Sequence, residues 1–224
     1  MSTKTSIISF LECCDKENFA KISMLSKTAS LKDYEHLTRT TILTDTKIKI
    51  WSDALQTALN ENEIITIPAQ DDKYYIDKTI IIPSNRRSIA DKKEHISLTA
   101  QTNVLMLRNE HTQDGTHFPI KSGNEDCNIS IDGGFWDEEK SYRLGYGDSG
   151  MYDENRSFFG VSTCMLFNNI IGFTLTNMVF VQTAGFSVQT GNAKNVIFKN
   201  IHFENCFADV FISMVIPKIL SYKT

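Results

Sequence analysis

From Ile64 onward, apolar and polar residues alternate in short runs: IITIP, YYIDKTIIIP, HISLT, VLMLRN, NISIDGGFW, CMLFNN, FTLTNMVFV, FSVQT and NVIFKNIHF. Runs of this kind, rich in β-branched and aromatic residues and bounded by Asn, Asp, Gly and Pro, predict short strands with one buried face. Helical patterns between them are absent, which argues against a doubly wound α/β sheet. Just upstream, WSDALQTALNENE puts Trp51, Ala54, Leu55, Ala58 and Leu59 on one face. That spacing predicts a single amphipathic helix over 51–60, with Ser52 placed to cap its first turn. Residues 1–45 mix apolar and charged positions in a way that suggests short helices, and the expected organisation is an N-terminal appendage over 1–45 followed by one domain over 46–224.

The strand-like runs repeat. Gly172-Phe173-Thr174-Leu175-Thr176-Asn177-Met178-Val179-Phe180 aligns with Asn195-Val196-Ile197-Phe198-Lys199-Asn200-Ile201-His202-Phe203 at a spacing of 195 − 172 = 23 residues. Asn128-Ile129-Ser130-Ile131-Asp132-Gly133-Gly134-Phe135-Trp136 fits the same template one long loop earlier. The template is apolar-x-apolar, a polar turn at Asn177 or Asn200, then apolar-x-apolar again. Asparagine tolerates the left-handed backbone that such a bend requires. A unit of this size cannot bury its own apolar face, so successive units must stack. The pattern is that of a right-handed parallel β-helix, an all-β fold, with Phe173, Leu175, Phe180, Val196, Phe198 and Phe203 stacked inside it. The helix over 51–60 suits its open first coil, whose end would otherwise present unpaired backbone.

Composition narrows the classes of function. A formal net charge of −4 over 224 residues offers no general attraction to nucleic acid. No apolar stretch reaches membrane-spanning length, and the apolar run near the N-terminus is too short for a signal sequence, so the expectation is a cytoplasmic protein without a membrane partner. Five cysteines (Cys13, Cys14, Cys127, Cys164, Cys206) form no CxxC pair, and His95, His111, His117 and His202 show no ligand spacing. Neither metal nor cofactor is expected.

With these residues in view, the stretch from Trp51 to Asp209 resembles the family 28 glycoside hydrolases, the polygalacturonase-like proteins of the pectin-lyase type. The resemblance rests on D-A-L-Q-x-A-L in the helix, on Ile67-Pro68-Ala69 followed by Tyr74-Tyr75, on I-x-GG-x-W-D at Ile131 to Asp137, and on NVIFKNIHFENC. It implies hydrolysis of pectin-type polysaccharide or oligosaccharide, with galacturonate-containing carbohydrate as partner. The family's N-T-D tripeptide corresponds to Phe207-Ala208-Asp209, which retains the aspartate alone and makes Asp209 the one catalytic candidate. The D-D, G-H-G and R-I-K elements that should follow are not found. Glycoside hydrolysis takes two carboxyl groups, an acid and a base or nucleophile, so the chain as given is expected not to cleave. Other readings of the scaffold are a carbohydrate-binding adhesin without catalysis and a polysaccharide lyase. The lyase would call for calcium ligands and a basic residue that the chain does not display.

Two segments carry the remaining expectations. The insertion DEEKSYRLGYGDSGMYDENRSFFG supplies Tyr142, Arg143, Tyr146 and Arg156 as candidate substrate-binding residues, aromatic faces for sugar rings and guanidinium groups for uronate carboxylates. Connections of this length in a compact fold are functional or disordered. The tail NCFADVFISMVIPKILSYKT shows no further copy of the repeat. With codons chosen to fit it and one guanine restored after the Asp209 codon, the tail reads DGFHFNGNTKNII, a copy of NAKNVIFKN. The expectation is therefore the N-terminal part of a longer protein whose frame was lost after Asp209; the competing reading is a short protein with an irregular end.

Overall fold

The computed structural model describes residues 26–99, 102, 104–112, 125–139, 163–183 and 185–206, and the backbone of 211–214. Strands dominate. One ladder of parallel strands contains β1 (Thr28–Ser30), β4 (Ile64–Ile67), β7 (Arg86–Ala90) and β10 (Asp126–Asp132). A second contains β3 (Thr46–Ile50), β5 (Tyr74–Ile76), β8 (His95–Leu98) and β11 (Phe135–Asp137). A third contains β6 (Ile80–Ile82) and β9 (Leu107–Asn109). The long strands β12 (Thr163–Val181) and β13 (Phe186–Glu204) run through all three, and β14 (Phe211–Met214) extends the third. From β4 onward the chain visits the three ladders in fixed rotation. The exception to parallel pairing is β2 (Arg39–Leu43), which forms an antiparallel hairpin with β3 around Thr44 and Asp45, both at positive φ. The sheet does not close on itself; its strand order runs from β1 at one end to β2 at the other.

The 23-residue spacing read from the sequence is the register of β12 on β13, from Thr163↔Phe186 to Val181↔Glu204. The tail adds to this. Val188 pairs with Phe211 and Gly191 with Met214, again 23 residues apart, although no repeat is visible there in the sequence. Pairing is made by backbone groups, which any side chains allow; the repeat signal came from asparagine turns and apolar alternation, which the tail lacks.

Alternation along the strands sorts side chains as expected. Phe173, Leu175 and Phe180 are fully buried, while Val196, Phe198 and Phe203 in the following copy are partly buried against the same core. The rings stack from copy to copy: Phe173 meets Phe198 edge-on at 5.9 Å, and Phe180 lies nearly parallel to Phe203 at 5.6 Å. Bends between ladders sit on residues at positive φ: Asn128, Asn169, Asn177, Asn192, Asn195 and Asn200, with Gly133, Gly134 and Gly172. At Gly133 a Cβ would lie 2.1 Å from the Ala90 carbonyl oxygen, so the double glycine of the I-x-GG-x-W-D element is a steric requirement of the turn between β10 and β11.

Helix α1 (Ser52–Glu61) lies where the sequence places it and buries Ala54, Leu55, Ala58 and Leu59. Its cap differs from the expectation. Trp51 occupies the cap position without a side-chain hydrogen bond, and Ser52 is drawn inward instead. Its hydroxyl donates to Asp77 Oδ1 at 2.7 Å and accepts the Asp77 backbone N–H at 2.9 Å, tying the helix to the end of β5. The described part of the expected appendage also joins the core. β1 pairs with β4, Leu31 is fully buried, and the 3-10 helix Leu31–Leu37 bonds to the end of α1 through Tyr34, Glu61 and Asn62. Strand β7 (RRSIA) was missed in the sequence because two arginines hide its alternation. No helix among the described residues is long and apolar enough to cross a membrane.

Candidate functional site

The outward side of the second ladder concentrates chemistry. Strands β5, β8 and β11 point Tyr74, Ile96 and Trp136 into the core, and the alternate positions lie on the other side of the sheet, where Ser97 and Asp137 are themselves buried while Tyr75, His95 and Phe135 are partly exposed. The register aligns Tyr75 with Ser97 and Ser97 with Asp137, and beside them His95 with Phe135. The His95 and Phe135 rings lie almost parallel, stacked 4.5 Å apart.

Lys73, at the entry to β5, reaches across this surface. Its Nζ donates to Asp137 Oδ2 at 3.1 Å and to Glu139 Oε1 at 3.0 Å, and stands 6.0 Å from the Tyr75 ring centre. Burial alone would favour the neutral amine, but the hydrogen bond to Glu139 and the charge of Asp137 outweigh it and hold the Lys73 pKa above its ordinary value. The His95 imidazole is pushed the other way, by burial first and then by the Lys73 charge, so it is neutral near pH 7. Its Nδ1 is buried and has no hydrogen-bond partner among the described residues. On the neighbouring connection Glu94, almost fully buried, accepts the backbone N–H groups of Gln70 and His95, and burial nonetheless raises its pKa.

This geometry constrains the chemistry. A hydrolytic pair needs space for substrate or water between its two carboxyl groups. Asp137 and Glu139 share one ammonium, which fills the space between them. The arrangement suits an ordered polar and aromatic surface better than acid and base catalysis.

A second polar cluster lies where β9 and β10 approach. Asp126 is fully buried, and its carboxylate accepts from Asn109 Nδ2 at 2.6 Å, the His111 backbone N–H at 2.9 Å and Ser84 Oγ at 3.0 Å, with His111 Nδ1 at 2.6 Å. Burial would raise its pKa, but these hydrogen bonds together hold it below the ordinary value. His111 moves up in turn, chiefly through its bond to Asp126. Asn109 continues the network by bonding both the N–H and the C=O of Asn168 on β12. Glu110, His111 and Asp126 bring potential ligand atoms within 4.8 Å of one another. Both Asp126 oxygens are already occupied by donors, so the cluster works as a clamp between turns. No pattern in the sequence marks it, because His111 and its partner are 15 residues apart with no spacing motif between them.

The sequence candidates Asp209, Tyr142, Arg143, Tyr146 and Arg156 all lie outside the described residues. Lys73 and Phe135 carry no motif in the sequence, and His95 shows no ligand spacing there; the structure brings the three together through register between strands.

No family model and no curated protein matches the chain. Among solved structures, it is similar to the surface protein and adhesin PfbA of Streptococcus pneumoniae, at 18% identity and a TM-score of 0.52 over 80% of this chain. A second crystal structure of PfbA aligns at 15% identity, covering 77% of this chain and 39% of that one, with a TM-score of 0.44. A protein from Parabacteroides merdae ATCC 43184, assigned as a glycosyl hydrolase, aligns at 11% identity over 81% of this chain and 98% of that one, with a TM-score of 0.45. The chain spans 42% of the length of the first PfbA structure, and the likeness to it is one of fold.

Proposed function

We propose that the chain is a segment of a right-handed parallel β-helix that binds carbohydrate on the outward side of its second ladder and does not cleave it. The observation that carries this reading is the surface formed by Lys73, Asp137 and Glu139 beside the stacked His95 and Phe135 rings. Aromatic faces fit the apolar faces of sugar rings, and fixed charged groups bond their hydroxyls. Rotation through three parallel ladders, with a 23-residue register from β12 through β13 to β14, supports the β-helix. The I-x-GG-x-W-D element supports the polygalacturonase-like class, in which the chain would be the N-terminal part of a hydrolase for galacturonate-containing substrates. Coding sequence that continues in the alternative frame beyond Asp209, with D-D, G-H-G and R-I-K elements, would establish that part; unrelated sequence there would remove it.

The direct test takes the full chain and a series of oligogalacturonides, with calorimetry for binding and a reducing-sugar assay for cleavage. Saturable binding without turnover is expected. Tyr75→Ala should weaken binding about threefold to tenfold, by analogy with other aromatic contacts in the range of 0.5–1.5 kcal/mol. Turnover by this chain would refute the non-catalytic reading, and failure to bind any acidic or neutral oligosaccharide would refute the carbohydrate reading.

A further inference from the structure

Strand β8 carries two polar atoms that the fold encloses and leaves unbonded. His95 Nδ1 and Ser97 Oγ are both buried, and neither has a hydrogen-bond partner among the described residues. They lie two positions apart on one side of the strand and do not bond each other. The His95 ring is held by stacking instead, 4.5 Å from Phe135 and 10° from its plane, while the residue as a whole is partly exposed. Buried polar atoms without partners are uncommon and call for an explanation. A neutral imidazole can bury one nitrogen as an unused acceptor, but an imidazolium carries an N–H on both nitrogens. Whichever tautomer the neutral ring adopts, the charged ring would hold an N–H at the enclosed Nδ1 with no acceptor, and a buried charged donor without a partner is costly.

The groups around the ring do not offset that cost. Lys73 opposes a second cation and is fixed in place by Asp137 and Glu139. Asp137 and Glu204 favour a charged ring, but Asp137 is already paired with Lys73. Glu94 directs its carboxylate to the backbone N–H groups of Gln70 and His95, burial keeps the Tyr75 phenol neutral, and His202 stands two strands further along the same row, beyond Val179. We propose that His95 is an acid-operated latch: protonation drives its ring off Phe135 and out to solvent, uncovering the Phe135 face and the enclosed space at Nδ1. The proton comes from solvent, and the extended ring exchanges one stacked contact for water at both nitrogens. In the swung-out state the ring takes a proton at its ordinary value of about 6.5, so that state gains about tenfold in population for each pH unit below it, until the stacked ring is itself protonated. Burial and the Lys73 charge lower the value of the stacked ring, so the stack is fully present above about 6.5 and is lost as pH falls through the lowered value. The latch belongs to the two rings and holds whatever the surface binds.

The experiment follows the imidazole and phenylalanine ring signals of the full chain by NMR from about pH 8 to about pH 5, the range in which histidine titrates. The His95 midpoint should lie below about 6.5, and the ring-current shifts and short-range contacts between His95 and Phe135 should disappear in step with it. Lys73→Met removes the neighbouring cation and should move the midpoint upward. His95→Phe keeps a stacked pair that takes no proton, so its Phe135 signals should stay constant over the same range. Far-UV circular dichroism across the titration separates a moving ring from an unfolding chain. A midpoint at or above about 6.5, a ring that titrates while still stacked on Phe135, or a stack lost only together with the whole fold would overturn the proposal. So would the same acid change at Phe135 in His95→Phe, or a midpoint that Lys73→Met leaves in place. Should His95→Phe fail to fold, the titrations of the parent and of Lys73→Met still decide it.

Discussion

The Asp126 clamp shows how a single buried charge is made tolerable. An ionised carboxylate in the core is costly unless donors surround it, and Ser84 supplies them from one segment and Asn109 and His111 from another. Asp126→Ala would leave these donors facing an apolar gap and should cost about 2–4 kcal/mol in urea unfolding, as for other broken buried networks. The pH dependence follows from the two shifts. His111 has a folded pKa above its ordinary value of about 6.5, so its contribution is full below that pH and is lost as pH rises through the raised value. Asp126 is held low, so its contribution is present above about pH 4 and is lost as pH falls through the lowered value. The His111 side chain is 37% exposed, and solvent screening keeps its share below about 1 kcal/mol. Thermal melts of the parent and His111→Gln should therefore diverge most below the ordinary imidazole value of about 6.5 and converge as pH rises through the raised one; parallel curves would show that the imidazole charge is unimportant.

At the scale of elements, the bends hold the strands in register. Asn177 donates to Asp132 at 2.7 Å and accepts from Asn200 at 2.9 Å, so side-chain amides climb from one copy to the next. Asn128 on Asn85 and Asn192 on Asn169 repeat the arrangement at other bends. Each asparagine contributes twice, by accepting a left-handed backbone and by linking neighbouring turns. Asn177→Ala removes both and should cost about 1–2 kcal/mol, whereas Asn177→Gly restores the backbone freedom and should cost clearly less. Urea midpoints of the two variants measure the difference, and equal losses would assign the whole effect to the side-chain bonds. This level was the most legible in the sequence, because the period of 23 residues, the asparagine turns and the apolar alternation are local signals that agree with one another. What stayed hidden depends on longer range. β7 carries Arg86 and Arg87 where alternation would be read, Ser52 leaves its cap for Asp77, and Lys73 meets Asp137 across 64 residues of chain. The candidate site was hidden for the same reason, since its residues converge only once the second ladder is in register.

For the whole molecule, stacking copies that contact only their neighbours makes stability uneven along the stack. β12 is covered on both sides, by β9, β10 and β11 in one direction and β13 in the other. Beyond β13 the only described strand is β14, and it covers the third ladder alone. The consequence is visible in burial: Phe173 and Phe180 are fully enclosed, Phe198 and Phe203 only partly, and Ile197 is 53% exposed. Phe173→Ala removes a ring enclosed on all sides and should cost about 3–5 kcal/mol. Phe198→Ala removes a contact already shared with solvent and should cost about half as much, because less apolar area leaves the core. Arrays built from nearest-neighbour contacts open from their less supported end. Amide hydrogen exchange should then be slowest in β10 and the middle of β12, faster in β13, and fastest along the edge of β13 that β14 does not cover. Uniform protection across these strands, with equal losses for the two phenylalanine variants, would instead mean that the described strands unfold as one unit and that the ladders are coupled more tightly than neighbour contacts alone can explain.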